Sequence, residues 1–340
     1  MKAGIIGASG YTGVELLRLL AHHPALEVAT VTAHSHAGQV VGQHTPSLAA
    51  AYPGLIYEAA GPEALDGLDG LDLVFCALPH GESQRLVPAL RERVGVIVDL
   101  AADFRLRDAG LYPTWYGEAH AAPELLPEAV YGLPELFREV LPGARLIASA
   151  GCYPTAAGLA LAPLRRAGLI EPSGIIVDAA SGTSGAGRAP TDSLHFGTVD
   201  ENFVAYGLLT HRHTPEIQQI LEADVLFTPH LAPMVRGILA TCYARPTGPL
   251  TTDDVLVALH EAYDDEPFVV VTDAPPSTKA TAGSNSAHVT ARVDERTGWV
   301  LSLCALDNLV KGASGQALQC ANVALGLPET TGLPAAGLYP

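Results

Sequence analysis

Lys2 to Ile6 is a short apolar run that meets the loop Gly7-Ala8-Ser9-Gly10-Tyr11-Thr12-Gly13. Val14 to Ala21 then carries helix-forming residues, and Leu26 to Thr32 returns to a β-rich run. That order predicts a βαβ unit with a Gly-rich loop between its first strand and its helix. Leu71 to Leu78 and Val94 to Leu100 are nearly continuous apolar runs bounded by turn residues, as parallel strands covered on both faces require. Ser83 to Arg93 predicts the crossover helix between them, and Leu146 to Ala148 a last strand before a helix over Pro154 to Ala167. Beyond it the texture changes. Ile175 to Ala179, Val225 to Pro229, Gly237 to Ala244, Phe268 to Thr272, His288 to Val293 and Trp299 to Ala305 are β-rich, with Val255 to Tyr263 helical among them. They predict a mixed, largely antiparallel sheet in a second domain, followed by a final helix over Ala313 to Leu325.

Composition narrows the class. The 340 residues suffice for two domains, and 48% hydrophobic with 16% charged residues indicates a globular chain. A balance of 19 basic against 36 acidic residues repels nucleic acid and anionic membrane, so neither is expected as a partner. Leu146 to Leu164 is uncharged and span-sized, but its two Pro, two Gly and several polar residues read against a membrane span. The opening residues run straight into a strand rather than a signal peptide. Five widely spaced cysteines without a CxxC pair suggest neither a disulfide framework nor a metal knuckle, and reduced cytoplasmic thiols are the expectation.

One of those cysteines is placed for chemistry. Cys152 lies between Gly151, a turn signal, and Pro154, suited to a first helical position, so it is expected at a helix N-terminus. Unpaired backbone N–H groups and the helix dipole there favour a thiolate. A distant histidine supplies the partner such a thiol needs, and Thr210-His211-Arg212-His213-Thr214-Pro215-Glu216 offers two just before a helix start, with Thr214 read as the cap. Zinc binding by that pair lacks matching ligands at metal spacing, and solvated surface histidines are the plain alternative.

Gly7, Gly10 and Gly13 let backbone N–H groups approach a pyrophosphate, which favours a dinucleotide site over a merely tight βα turn. An NAD site usually carries an acid at the end of the second strand. Here stand Thr32-Ala33-His34-Ser35-His36, which favours NADP over NAD, with a 2′-phosphate contacted by Ser35 and His34 or His36 either adding charge or standing as solvated loop residues. Ala180-Ser181-Gly182-Thr183-Ser184-Gly185-Ala186-Gly187 offers many backbone donors for a cofactor or phosphate, with a flexible linker as the alternative. Arg105 and Arg236 each follow an apolar run and are candidates to grip phosphate or carboxylate, with a surface ion pair as the equal alternative.

Taken together, the loop Gly7–Gly13, Leu78-Pro79-His80-Gly81, Ala102-Asp103-Phe104-Arg105, Gly151-Cys152-Tyr153-Pro154-Thr155, Ser181–Gly187, His211–Glu216 and Asp307-Asn308-Leu309-Val310-Lys311-Gly312 resemble the N-acetyl-γ-glutamyl-phosphate reductase family, in family order along nearly the whole chain. The resemblance implies an α/β fold of the semialdehyde and glyceraldehyde-3-phosphate dehydrogenase type. A Rossmann nucleotide domain over 1–150, joined by the C-terminal helix 312–340, is expected beside an α+β catalytic and oligomerisation domain over 151–311. It further implies an NADPH cofactor bound through Gly7, Ser9, Gly10, Tyr11, Thr12, Gly13, Ser35, Ser181, Gly182, Ser184, Gly185 and Asn308, no metal, and a cytoplasmic homo-oligomer, usually a tetramer. Cys152 would attack an acyl phosphate and the thioester would be reduced to a semialdehyde, with His213 as acid/base and His211 orienting substrate or sharing that role. By the same resemblance Arg105 is assigned to the leaving phosphate and Asn308 to the nicotinamide amide. Two departures stand out: Ala150 where members commonly have Pro, and His34 and His36 where Arg is frequent. The competing readings are a lysine-pathway reductase acting on a carrier-protein-borne acyl phosphate, a non-catalytic NADPH-binding sensor and a Cys-His hydrolase.

Overall fold

The computed structural model describes residues 1–60 and 62–339. The chain divides into two compact units, Met1–Ala150 with Ala313–Leu333, and Gly151–Gly312 with the residues from Pro334 on. The first unit is built on β1 (Lys2–Ile6), β2 (Glu27–Ala33), β3 (Glu58–Ala59), β4 (Leu73–Cys76), β5 (Val96–Asp99), β6 (Val130–Gly132) and β7 (Leu146–Ser149), ordered β3-β2-β1-β4-β5-β7-β6. Every pairing is parallel, with Ile6 beside Thr32 on one side and Cys76 on the other. All four residues of β4 and of β5 are buried, which is why those strands are unbroken apolar runs. Helices α1 (Tyr11–Leu20) and α2 (Ser83–Leu90) follow β1 and β4. The first begins three residues earlier than its composition predicts, because Gly10 serves as an extended N-cap.

The second unit opens with α3 (Cys152–Arg166). Its sheet runs β12-β13-β14-β11-β8-β10-β9, from β8 (Ile175–Ser181), β9 (Val204–Ala205), β10 (Val225–Leu231), β11 (Ile238–Ala244), β12 (Val269–Val271), β13 (Ala287–Asp294) and β14 (Trp299–Leu306). The pairing is mixed and mostly antiparallel, as the sequence predicts. Alternation along β8 and β11 buries Ile175, Val177, Ala179, Ile238, Ala240 and Cys242. Helix α3, with α4 (Thr214–Leu221) and α5 (Thr252–Tyr263), packs on this sheet. The uncharged stretch from Leu146 thus splits into a strand and a helix, and no described helix is long and apolar enough to cross a membrane.

The C-terminal helix is shorter than expected. A π-turn over Val310–Ser314 leads into α6 (Gly315–Ala324), which packs on β5, β6 and β7 of the first unit. Gly326, at φ +70°, lets the chain turn away, and Pro328 keeps it from resuming the helix. Residues beyond Leu333 belong to the second unit, where Asn285 N–H donates to Pro334 O at 2.7 Å and Leu338 N–H to Ala282 O at 2.8 Å.

Candidate functional site

Cys152 is the first residue of α3, and the helix starts two residues before the position suggested by Pro154. Pro154 is tolerated as the third helical residue because the first-turn N–H groups have no intrahelical acceptor. Gly151 is the N-cap, with φ −69° and ψ 156°, and no side chain caps the turn. The thiol residue is partly exposed, whereas Cys76, Cys242, Cys304 and Cys320 are buried. Gly312 is held by its N–H to Asp307 O at 2.9 Å, and a Cβ there would stand 2.8 Å from Cys152 Cβ. Glycine is required at 312 so that the Asp307–Gly312 loop can close on the thiol-bearing residue.

Gly151 N–H donates to Glu216 Oε1 at 2.8 Å. Glu216 is fully buried and is the third residue of α4, the helix that His211 and His213 precede. His213 is the N-cap, one residue before the cap predicted at Thr214. The same carboxylate therefore ties the nucleophile's turn to the histidine-bearing helix. Sequence reading assigns Glu216 only to an acidic first turn. A bond across 65 residues of chain leaves no local signal.

The two histidines differ. His213 N–H donates to His211 Nδ1 at 3.1 Å, so the proton of a neutral His211 ring sits on Nε2. His211 also stands among aromatic rings, with Tyr153, Tyr206, Phe227 and His213 at centroid distances of 5.6, 5.5, 5.3 and 4.9 Å. Burial there, with Arg212 adding repulsion, pushes its pKa down to about 4. His211 is thus a neutral donor near pH 7. Tyr153 and Tyr206 share a hydroxyl hydrogen bond at 3.0 Å, and burial pushes Tyr206 up to about 12 and Tyr153 higher still. Both phenols were missed from sequence.

Ser181–Gly187 is neither an open nest nor a linker. Gly182 and Gly237 share a backbone bond at 2.9 Å, Thr183 N–H donates to Met234 O at 2.9 Å, and Ser184 N–H to Val235 O at 3.1 Å. A Cβ at Gly182 would stand 2.6 Å from Val235 O. Gly185 and Gly187 N–H groups bond within the loop itself. Asn308, almost fully buried, accepts from Gly237 N–H at 2.7 Å and donates to Ser184 Oγ at 2.9 Å, so its amide fixes this loop. Arg236 lies 3.4 Å from Asp307 Oδ2 and is about one-third exposed.

In the first unit, Gly7 has φ +82°, and a Cβ on it would collide with Ala77 O. A Cβ at Gly13 would stand 2.5 Å from Ala8 Cα. These glycines set the close approach between loop and strand. Gly7 and Ala8 N–H groups bond Thr32 O, while the first-turn amides of Tyr11, Thr12 and Gly13 have no intrahelical acceptor and no side-chain cap. Such a turn fits a pyrophosphate. Ser9 lies within this loop, and Ser35 is exposed just past β2. Arg105 is mostly buried, donates to Leu100 O at 2.7 Å and lines a cavity of about 330 Å³ with Phe104, Tyr131 and Phe137. Its motif neighbour Asp103 caps α2 by accepting from Gly81 and Gln84 N–H groups at 2.7 and 3.0 Å.

Residues 2–144 match the semialdehyde dehydrogenase NAD binding domain, and residues 152–308 match the semialdehyde dehydrogenase dimerisation domain. The N-acetyl-γ-glutamyl-phosphate reductase of Symbiobacterium thermophilum is 51% identical over 356 aligned positions, covering all of this chain and 99% of that one. Its counterpart from Desulforudis audaxviator is 49% identical over the full length of both. Among solved structures, aspartate semialdehyde dehydrogenase II of Vibrio cholerae superposes with a TM-score of 0.69 over 95% of this chain and 97% of that one, at 16% identity. Aspartate semialdehyde dehydrogenase with NADP from Candida albicans gives 0.68 at 16% identity, over 95% of this chain and 97% of that one. At such identities these structures speak for the fold.

Proposed function

The chain belongs to the N-acetyl-γ-glutamyl-phosphate reductase family, and we propose that it performs the family's reduction through a thioester on Cys152. It is an oxidoreductase of arginine biosynthesis that converts N-acetyl-γ-glutamyl phosphate to the semialdehyde and phosphate. The observation that carries the mechanism is Cys152 at the uncapped first turn of α3, with its Gly151 cap held by Glu216.

The Cys152 thiolate attacks the acyl-phosphate carbonyl, the carbon–sulfur bond forms, and the carbon–oxygen bond to phosphate breaks. Backbone N–H groups of the first turn of α3 stabilise the oxyanion of that step. His213 takes the thiol proton and returns it to sulfur when the thiohemiacetal collapses, a role worth on the order of 10²–10⁴ in rate. His211, neutral and with Nε2–H available, orients the substrate carbonyl. Arg236 and Arg105 are the basic side chains assigned to phosphate or carboxylate. NADPH, when bound, would supply the hydride that takes the thioester to the thiohemiacetal. The chain's contribution to holding it is the loop Gly7–Gly13 with the first turn of α1, and the absence of an acid at the end of β2 favours the 2′-phosphate form. Asn308, Ser181, Gly182, Ser184 and Gly185 act for the cofactor as one pinned loop.

The protein acts as a cytoplasmic homo-oligomer, in the tetrameric arrangement the resemblance implies. Support comes from the face of the second unit's sheet opposite its helices, where Ile176, Leu239, Tyr243, Leu301 and Leu303 are half-buried and Leu226 is 48% exposed. The test follows NADP⁺ reduction at 340 nm with N-acetylglutamate semialdehyde and inorganic phosphate. Phosphate-dependent turnover is expected in wild type, and a loss of several orders of magnitude in Cys152→Ser, since a hydroxyl is far less ionised than a thiol. Turnover retained in that variant overturns the thioester route.

A further inference from the structure

Between Arg18 and Arg85 the chain contains neither lysine nor arginine. That stretch holds β2, the segment after it and β3, where a dinucleotide-binding unit receives the adenosine ribose. The flanking arginines are engaged elsewhere, Arg18 with Glu15 at 2.6 Å and Arg85 with Glu118 at 2.7 Å. Any cation that this stretch presents to a phosphate is therefore a histidine. His34 and Ser35 are exposed directly after Ala33. The ring of His36 lies 3.8 Å, centroid to centroid, from that of His44 on the short turn Val41–His44, and its Nδ1 is 3.3 Å from Gln39 Oε1. Tyr57 meets His44 edge-on at 5.9 Å. The carboxylate of Glu58 on β3 is turned towards Gly67, where a Cβ would come within 2.9 Å of Oε2.

Resting on the assignment of NADP as the cofactor, we propose that the closely spaced His36–His44 pair, with Ser35, reads the 2′-phosphate, and that protonation of the pair sets the preference for NADPH over NADH. Two imidazoles at this separation repel one another when both are charged, and a phosphate dianion removes that penalty. Binding of the 2′-phosphate therefore takes up protons, whereas binding of NADH does not. For each proton taken up on binding, NADPH affinity falls by up to about tenfold per unit rise in pH.

The experiment is calorimetric titration with NADPH and with NADH from pH 6.5 to 8.5, in buffers of differing ionisation enthalpy, on wild type, His36→Gln/His44→Gln and His36→Arg. In wild type the NADPH to NADH affinity ratio falls by about tenfold or more across that range, with extra proton uptake for NADPH alone. The double glutamine variant keeps its NADH affinity and loses the preference at pH 6.5. His36→Arg keeps the preference at pH 8.5. A wild-type ratio flat with pH, or one that survives in the double variant, overturns the histidine role and leaves the NADP assignment intact. Equal affinity for both dinucleotides at every pH overturns the NADP assignment, and this proposal with it.

Discussion

Glu216→Ala removes the acceptor of the Gly151 N–H and leaves that buried donor unpaired at the cap of the nucleophile helix. Leaving a buried donor unsatisfied costs about 1–3 kcal/mol. The bond is 2.8 Å long and the carboxyl is fully buried, so the loss belongs at the upper end of that range. Where the misplaced turn costs the transition state a similar amount, kcat falls on the order of 10- to 100-fold. Glu216→Gln keeps an acceptor oxygen and stays within several-fold of wild type. Steady-state kinetics, combined with the pH dependence of Cys152 alkylation by iodoacetamide, separate a positioning effect from general destabilisation. In Glu216→Ala the alkylation profile changes together with kcat, while KM for the dinucleotide holds. An unchanged profile with unchanged kcat refutes the reasoning, and Glu216→Gln as impaired as Glu216→Ala shows that charge, not the hydrogen bond, matters.

Asp99 supplies a pH prediction for stability. Its carboxyl is fully buried, accepts from Ser83 Oγ at 2.6 Å, and is pushed up to about 7 by burial and then by Asp103. The folded state keeps this proton to about pH 7, while the unfolded chain releases it near 4, so the folded state binds more protons in between. The contribution to stability is complete below about pH 4 and lost by about pH 7, on the order of 4 kcal/mol. Urea denaturation checks this: Asp99→Asn flattens the decline between pH 5 and 7. Gly312→Ala forces a Cβ to 2.8 Å from Cys152 Cβ, and overpacking of about 1–3 kcal/mol lowers kcat while the variant still folds by circular dichroism. Because His211 is neutral above about pH 4, His211→Asn lowers kcat/KM without altering its pH profile between 6 and 9, whereas His213→Asn, which removes the acid/base, lowers kcat by on the order of 10²–10⁴.

Much of the frame is legible in the residues. Strands such as Leu73–Cys76 and Val96–Asp99 are buried on both faces and so announce themselves as apolar runs, while β8 and β11 alternate because helices cover one face. Glu58–Ala59, Val130–Gly132 and Val204–Ala205 are two or three residues long, carry no period and stay invisible, whereas the equally short Val269–Val271 shows because it lies inside the β-rich run Phe268–Thr272. Helix starts shift by one to three residues because an extended glycine, or His213, takes the capping position. At the site, Cys152 and the histidine pair have local signals. Glu216 against Gly151, Gly312 against Cys152 and Asn308 against Ser184 are contacts over long chain separations, and only folding brings them together.

The central claim is the thioester, and mass spectrometry of the intact protein tests it most directly. Mixed with N-acetyl-γ-glutamyl phosphate in the absence of dinucleotide, wild type should gain the mass of one acyl group on Cys152 and release a stoichiometric burst of phosphate, with neither event in Cys152→Ser. Phosphate release without an adduct, or an adduct on another residue, contradicts the account.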